Sequence, residues 1–516
     1  MKPIVLRDYQ QGPIDRARYL VNHHGKKRLL IVAPCGAGKG HIIAKLLAST
    51  VERGHRALAI AHRKELIEDL ADRVCRFGFM PGVIMANRDQ HLERPVQVAS
   101  IQTLSRRDKP VADLVIIDEA HHSTASSYLQ VLDHYPNAVV VGLTATPCRL
   151  GGQPLGDVFE DLIEPIRSSE LVERGLLVPV RGFAYDAPDL RHVKKKAGDF
   201  SNDELAALVD TPKVRGNIVE QYLLRARGTR AIVFAVNVDH SQKLAADFCA
   251  HGVRALHVDG ETPRDVRKAA FEAFRSGAAQ VLTNCSLFTE GVDLPAIETV
   301  ILGRPTMSTS LGLQMIGRGR RPLPCPCGEI PHWRNATCTC GLPVPKRFVR
   351  LHDHAGICFS IGMPDDPREW SLTETFDTGA PKLTSAKPGS AIRTCKACFC
   401  VYLADELACP NCGASNRAPK KLVRNAKGIA VALEDVERAQ AAEEPTKASA
   451  EVQKKFFLFL VGLEKSRGYR RGYAEMRFHG KFKCWPPAKL WRAQFGKAPV
   501  EEFVPAGGID GSEVKT

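Results

Sequence analysis

Leu29-Leu30-Ile31-Val32-Ala33-Pro34-Cys35-Gly36-Ala37-Gly38-Lys39 runs from four apolar residues into a glycine-rich loop that ends on a lysine. The apolar run reads as a buried strand. Gly36 and Gly38 let the loop turn tightly, so that backbone N–H groups and the start of a following helix face an anion, while Lys39 reaches terminal phosphates. Strand, loop and helix in that order favour a nucleoside-triphosphate site over a turn that merely ends on a surface lysine. One position departs from the pattern: Gly40 stands where Ser or Thr normally helps hold Mg²⁺. A water is expected to replace that hydroxyl, hydrolysis to persist with weakened Mg²⁺ affinity, and Gly40→Thr to lower the Mg²⁺ requirement if the added side chain fits.

Working outward, short apolar runs alternate with helix-like stretches from Arg28 to Leu143: Ala57-Leu58-Ala59-Ile60, Val96-Gln97-Val98, Leu114-Val115-Ile116-Ile117 and Ala138-Val139-Val140-Val141. The rhythm returns beyond about residue 212 with Ala231-Ile232-Val233-Phe234, Ala255-Leu256-His257-Val258, Gln280-Val281-Leu282-Thr283 and Thr299-Val300-Ile301-Leu302. Strands spaced by amphipathic helices predict an α/β fold with two parallel-sheet lobes.

The run Leu114 to Ile117 leads directly into Asp118-Glu119-Ala120-His121. Two carboxylates then sit at the C-terminal end of a buried strand, where open α/β sheets bind ligands. Asp118 can hold a Mg²⁺-bound water and Glu119 can orient or deprotonate an attacking water. The alternative for the pair is simple helix capping.

The chain has 516 residues, 44% apolar and 25% charged, with 72 Lys and Arg against 57 Asp and Glu for a net charge of +15. That length predicts two large domains with appendages, and the charge favours a polyanionic partner. No apolar run approaches the roughly 20 residues of a membrane span, and the N-terminus lacks a secretory signal, so a cytoplasmic protein without membrane attachment is expected.

In that reducing compartment the sixteen cysteines are read as thiols or metal ligands, and ten fall between Cys325 and Cys412. Cys395-x-x-Cys398 and Cys409-x-x-Cys412 form two knuckles suited to tetrahedral Zn²⁺, with Cys400 a spectator thiol. Cys325-x-Cys327 and Cys338-x-Cys340 suggest a second Zn²⁺ site, with His332 as a substitute ligand; free thiols are the alternative.

From Glu451 to Val500 there are 12 Lys and Arg against three Glu, interleaved with Phe456, Phe457, Tyr469, Tyr473, Phe478, Phe482, Trp485 and Trp491. Cations for phosphates and rings for unstacked bases suit nucleic acid. A small helical domain with those rings as its core is the alternative.

With the segments that follow, these motifs resemble superfamily 2 helicases of the DEAH-box class, in the branch of restriction-enzyme motor subunits and phage helicases, over roughly residues 4 to 370. The resemblance implies two tandem RecA-like lobes with ATP and Mg²⁺ between them. It implies that Arg7 and Gln10 of Arg7-Asp8-Tyr9-Gln10 sense the adenine, that His62 and Arg63 of Ala61-His62-Arg63-Lys64-Glu65-Leu66 and Thr103 of Ser100-Ile101-Gln102-Thr103-Leu104 grip the nucleic-acid strand, and that Thr144-Ala145-Thr146-Pro147 couples ATP state to strand binding. Gly291 and Asp293 lie in the motif facing ribose and strand. Gln314 opens the arginine-finger motif Gln314-Met315-Ile316-Gly317-Arg318-Gly319-Arg320-Arg321, with Arg318 and Arg321 as fingers on one helix face. Leu351-His352-Asp353-His354 reads as the ordinary end of the second lobe, not as a metal site. A zinc ribbon after the motor is also in keeping with the resemblance.

The expected domains are lobe one at 1–175, lobe two at 176–370 with a cysteine-rich insert at 322–345, a zinc ribbon at 390–415, a linker at 416–450 and a basic, helical nucleic-acid-binding segment at 451–516. The expected activity is ATP-dependent translocation along nucleic acid, DNA rather than RNA, with duplex unwinding and with phage replication, repair or restriction proteins as partners. The alternatives are a double-stranded-DNA translocase that never separates strands and a weakly hydrolysing nucleic-acid-binding scaffold.

Overall fold

A computed structural model of the chain describes residues 5–149, 152–196, 198–285, 287–289, 294, 296–375, 392–404, 406–415, 423–424, 430–431, 450–466, 473–482 and 486. They form two compact units, residues 1–412 and 413–516.

In the first unit, strands β1 (Arg28–Val32), β2 (Ala57–Ala61), β3 (Gly82–Ile84), β4 (Val96–Ser100), β5 (Leu114–Asp118), β6 (Val139–Thr144) and β7 (Asp161–Ile163) build a sheet in the order β3-β4-β2-β5-β6-β1-β7. Every neighbouring pair is parallel. Helices α1 (Asp8–His24), α2 (Lys39–Val51) and α3 (Lys64–Arg76) pack on one face, where Ile14, Leu29, Ile42, Leu47, Leu70 and Val74 share a core. A sheet covered on both faces explains why β1, β2 and β5 read as unbroken apolar runs instead of alternating ones.

This order decides where the chemistry lies. Asp118 pairs with Leu143 and Val32 with Thr144, so the ends of β5, β6 and β1 stand side by side. Ala61 pairs with Ser100, which places His62 and Arg63 beside the Ile101–Leu104 helix.

The second lobe contains β8 (Val180–Ala184), a two-residue hairpin of β9 (Lys195–Lys196) and β10 (Asp199–Phe200), then β11 (Ala231–Phe234), β12 (Ala255–Val258), β13 (Val281–Asn284), β14 (Thr299–Leu302) and β15 (Val349–Asp353). Its six-stranded parallel sheet runs β12-β13-β11-β14-β15-β8. After this lobe the chain returns to the first one, where Trp370 and Leu372 pack against the core around Leu155 and Phe159. β16 (Ile392–Thr394) and β17 (Val401–Leu403) form an antiparallel ribbon that lies on the outer edge of β8, with Ala184 N–H donating to the Phe399 carbonyl at 3.0 Å.

In the second unit, helices Ala450–Ser466 and Tyr473–Phe482 pair. Phe456 meets Phe482 and Phe457 meets Phe478 edge to face, with ring centroids 5.4 and 5.7 Å apart. Glu464 accepts the backbone N–H of Ala474 at 2.9 Å. These four phenylalanines are therefore core, and they do not offer base-stacking surfaces. Tyr469, Trp485 and Trp491, the Tyr473 side chain and nearly all of the linker lie outside the described residues. No helix among the described residues is long and apolar enough to cross a membrane.

Candidate functional site

The glycine-rich loop leaves β1 with Ala33 N–H donating to Thr144 O at 2.9 Å. Gly36 and Gly38 both adopt left-handed backbone angles, φ 89° and 87°, which L side chains rarely tolerate. Space gives a second reason for glycine there. A Cβ on Gly36 would lie 2.7 Å from Leu177 Cδ2, and one on Gly38 would lie 2.4 Å from Gln10 Nε2. Gln10 is buried, donates to the Ala37 carbonyl at 2.9 Å and accepts from Arg7 N at 3.1 Å, so its amide braces the loop against α1.

Lys39 opens α2 and faces the end of β5. Its Nζ stands 3.7 Å from Glu119 Oε1, both side chains about nine-tenths buried. Burial pushes the Lys39 ammonium down, but the charges of Glu119, Cys35 and Asp118 outweigh it and leave the group above its ordinary value, fully protonated. Glu119 itself is held at φ 50°, a conformation costly for a non-glycine residue and typical of functional sites. Its N–H donates to Asp118 Oδ1 at 2.9 Å. Its other oxygen, Oε2, is buried without a hydrogen bond, with His121 Nδ1 3.5 Å away. His121 Nδ1 in turn lies 3.2 Å from Thr144 Oγ1, which donates to the Thr146 carbonyl at 2.9 Å. The Thr144-Ala145-Thr146-Pro147 segment is thus wired to the carboxylate through one imidazole. Asp118, buried at the strand end within the same cavity, fits a Mg²⁺ donor set.

The second lobe closes the site. The Thr309–Gly317 helix is capped by Ser308, whose Oγ accepts the Leu311 N–H at 3.2 Å. It ends against the loop: a Cβ on Gly317 would lie 2.6 Å from Cys35 Cβ. Arg318 is the helix C-cap and Arg321 lies beyond it, so the two do not share a helix face; the turn after Gly317 brings both to the cavity instead. Arg320, between them, is buried the other way and bonds Ser168 and Asp365. Gln314 is buried within the helix and does not line the cavity. Gly291 and Asp293 lie outside the described residues.

The resulting cavity, about 600 Å³, is lined by six cationic side chains, Arg7, Lys39, Arg73, Arg76, Arg318 and Arg321, and three carboxylates, Asp69, Asp118 and Glu119. It has the size and charge for a magnesium-bound nucleoside triphosphate. Two residues that shape it escaped the sequence reading: Arg73, and Lys346, whose buried ammonium donates to the Arg321 carbonyl at 2.8 Å. The space beside position 40 is also tight. A Cβ on Gly40 would lie 3.0 Å from Arg73 Nε, so any side chain there requires the Arg73 side chain to give way.

Beyond the end of β2, Arg63 is the N-cap residue of α3, donates to His62 Nε2 at 3.3 Å and reaches across to the Leu287 carbonyl of the second lobe at 3.2 Å. Gln102 donates to the His62 carbonyl at 3.1 Å, and Thr103 stands half-buried on the same short helix. The His62 ring lies 4.5 Å from His122, and His122 4.1 Å from His121.

Two cysteine quartets, Cys325/Cys327/Cys338/Cys340 and Cys395/Cys398/Cys409/Cys412, each hold four sulfurs within 4.8 Å of one another. Paired sulfurs are 3.4 and 3.6 Å apart in the first and 3.7 and 3.6 Å apart in the second. Four sulfurs at ~2.3 Å from zinc span a tetrahedron with edges of about 3.8 Å, so both quartets fit that ion. Cys400 stands outside the second quartet. His332 is not drawn to the first: it bonds the Glu173 carbonyl at 2.9 Å while Trp333 donates to Val172 O at 2.7 Å, anchoring the insert to the segment between the lobes.

Two parallel α/β lobes that share one nucleotide cavity, with strand-end carboxylates from the first and arginines from the second, define a two-lobe nucleotide hydrolase of the helicase type. Residues 3–149 match the family described as type III restriction enzyme, res subunit, and residues 215–322 match the helicase conserved C-terminal domain. A 51.5 kDa protein of Lactococcus phage (isolate 7-9) is 29% identical over 385 residues, 74% of this chain and 77% of that one. IRC3 of Saccharomyces cerevisiae, a candidate ATP-dependent helicase, is 32% identical over 341 residues, 61% of this chain and 49% of that one. The type I restriction enzyme EcoAI endonuclease subunit of Escherichia coli is 25% identical over 366 residues, 61% of this chain and 44% of that one. The chain thus spans about half or less of the last two relatives. Among solved structures, the fragment of a candidate HsdR subunit of a type I restriction enzyme from Vibrio vulnificus YJ016 shares the fold, with a TM-score of 0.51 and 23% identity over 70% of this chain and 67% of that one. The chain is an ATP-hydrolysing superfamily 2 helicase with restriction-enzyme and phage relatives.

Proposed function

We propose that ATP hydrolysis in the interlobe cavity drives this chain along DNA, and that duplex separation follows from that movement. The observation that carries the reading is the convergence of Lys39 and Glu119 from one lobe with Arg318 and Arg321 from the other on a single cavity. Lys39 exchanges Glu119 for the terminal phosphates. Glu119 Oε2, buried and without a hydrogen bond, then orients the attacking water and takes its proton. Asp118 would hold Mg²⁺, which would supply charge neutralisation to the phosphates. Arg318 and Arg321 stabilise charge that develops on the transferring phosphoryl group, so turnover depends on lobe closure.

His62, Arg63 and Thr103 hold the strand, and the ring series from His62 through His122 to His121 supports communication between strand and Glu119. Restriction-enzyme relatives support DNA over RNA as the track and restriction or phage proteins as partners. The two cysteine quartets are read as Zn²⁺ sites, the first stapling the chain that follows the arginines, the second forming the ribbon.

ATP turnover measured with no nucleic acid, with single- or double-stranded DNA and with RNA tests this reading, alongside forked-duplex unwinding and triplex displacement. DNA-stimulated turnover with fork unwinding is expected. Triplex displacement without unwinding indicates a double-stranded-DNA translocase, and absent turnover indicates a binding scaffold.

A further inference from the structure

Gly40 has no conformational need to be glycine, because it lies in the first turn of α2 with ordinary backbone angles. What it provides is clearance. The Arg73 side chain crosses its bare backbone, with Nε, Cδ and Cζ at 3.0, 3.2 and 3.5 Å from where a Cβ would be. Two groups fix the guanidinium there. Asp69, one turn earlier on α3, accepts from Nε at 2.6 Å, and His41 Nε2 lies 2.8 Å from NH1. Burial first, then the charges of Arg73 and Arg76, hold the His41 imidazole down at about 4. At neutral pH it is uncharged and accepts the arginine's hydrogen bond.

A guanidinium carries five N–H donors in a planar fork. Among the described residues, Asp69 and His41 engage one each, and the remaining three have no protein acceptor. The group lines the same cavity as Lys39 and Arg321, about one-fifth exposed. A fixed cation with unused donors, at the edge of a cavity sized for a polyanion, matches phosphate oxygens in geometry and charge.

We propose that Arg73 is a phosphate-binding residue of the nucleotide site, and that Gly40 is its matched partner, kept small so that Arg73 can pass over the loop and supply from α3 the charge compensation that a loop hydroxyl otherwise supplies through metal. Asp69 and His41 are positioning residues for it. This rests on the cavity being the ATP site. It explains why the hydroxyl is missing: threonine and Arg73 compete for one space.

The test is fluorescence titration of the full-length chain with N-methylanthraniloyl-labelled ATP and AMP, in wild type, Lys39→Ala, Arg73→Ala, Arg73→Lys, Gly40→Thr and the double variant Gly40→Thr/Arg73→Ala. Arg73→Ala is expected to weaken the ATP analogue by about tenfold or more and the AMP analogue much less, as befits loss of a charge-assisted contact to the phosphate chain. Arg73→Lys should recover part of the loss. Gly40→Thr should weaken ATP on its own, and the double variant should be no worse than Arg73→Ala. Wild-type ATP affinity in Arg73→Ala, an equal loss for ATP and AMP, or additive effects in the double variant would overturn the pairing. If Lys39→Ala also binds like wild type, the nucleotide-site reading itself is wrong; if Lys39→Ala loses ATP and Arg73→Ala does not, only this inference fails. Should Arg73→Ala not fold, Arg73→Lys and Gly40→Thr alone decide by the same comparison of ATP with AMP.

Discussion

The buried ammonium of Lys346 donates to the backbone carbonyl of Arg321 at 2.8 Å and also to that of Ile297, tying the far end of the cysteine-rich insert to the arginine that enters the nucleotide cavity. The insert leaves the chain just after Arg321 and returns it at Lys346. Arg321 is therefore held at its backbone by a residue that does not itself line the cavity.

Lys346→Met should leave nucleotide affinity near wild type and lower turnover by about tenfold to a hundredfold, the scale expected when a catalytic group is slightly misplaced. Steady-state ATPase with parallel nucleotide titration checks it; a loss of affinity at unchanged turnover would contradict a positioning role.

Burial pulls the Lys346 ammonium down from its ordinary 10.5 to about 7, against the opposing charge of Glu298. Between those values the unfolded chain binds the proton more tightly than the folded one. Stability from this group therefore rises as pH climbs from about 7 towards 10.5 and is lost again on the way down, levelling below 7. Thermal melts across that window should show a steeper rise for wild type than for Lys346→Met; parallel curves would place the lysine in water.

Zinc content offers a separate check. Protein purified without chelator under reducing conditions should carry about two zinc ions per chain, one per quartet, and Cys327→Ser should carry about one. Elemental analysis decides, and a wild-type content near zero would leave both quartets as reduced thiols.

Much of the two-lobe fold was legible because its signals are local. The apolar run before Gly36 and the one before Asp118 each announce a buried strand, and the sheet order then brings their ends together. Contacts between distant segments left no such trace. Arg73 reaches Gly40 from another helix and Lys346 reaches Arg321 across the insert, and neither follows any periodicity. Arg318 and Arg321 illustrate a local signal that misleads: their spacing suits one helix face, yet the helix stops at Gly317, where glycine allows close packing on Cys35. Phe456, Phe457, Phe478 and Phe482 suit both a core and a stacking surface by spacing, and packing of the helix pair makes them core.

With those four phenylalanines buried, the proposed binding of nucleic acid by the C-terminal segment draws on its excess of Lys and Arg. Deleting 451–516 should weaken DNA binding and flatten the plot of log affinity against log salt by about 0.9 for each duplex phosphate that is no longer neutralised. An unchanged slope would assign the segment to structure or to a protein partner.

The most direct measurement is DNA-stimulated ATP turnover by Arg321→Ala together with its ATP affinity. An arginine that the second lobe contributes to a site built on Lys39 and Glu119 acts mainly on charge in the transition state, so turnover should fall by about a thousandfold or more while affinity changes only modestly. Normal turnover with weakened binding would contradict hydrolysis shared between the lobes.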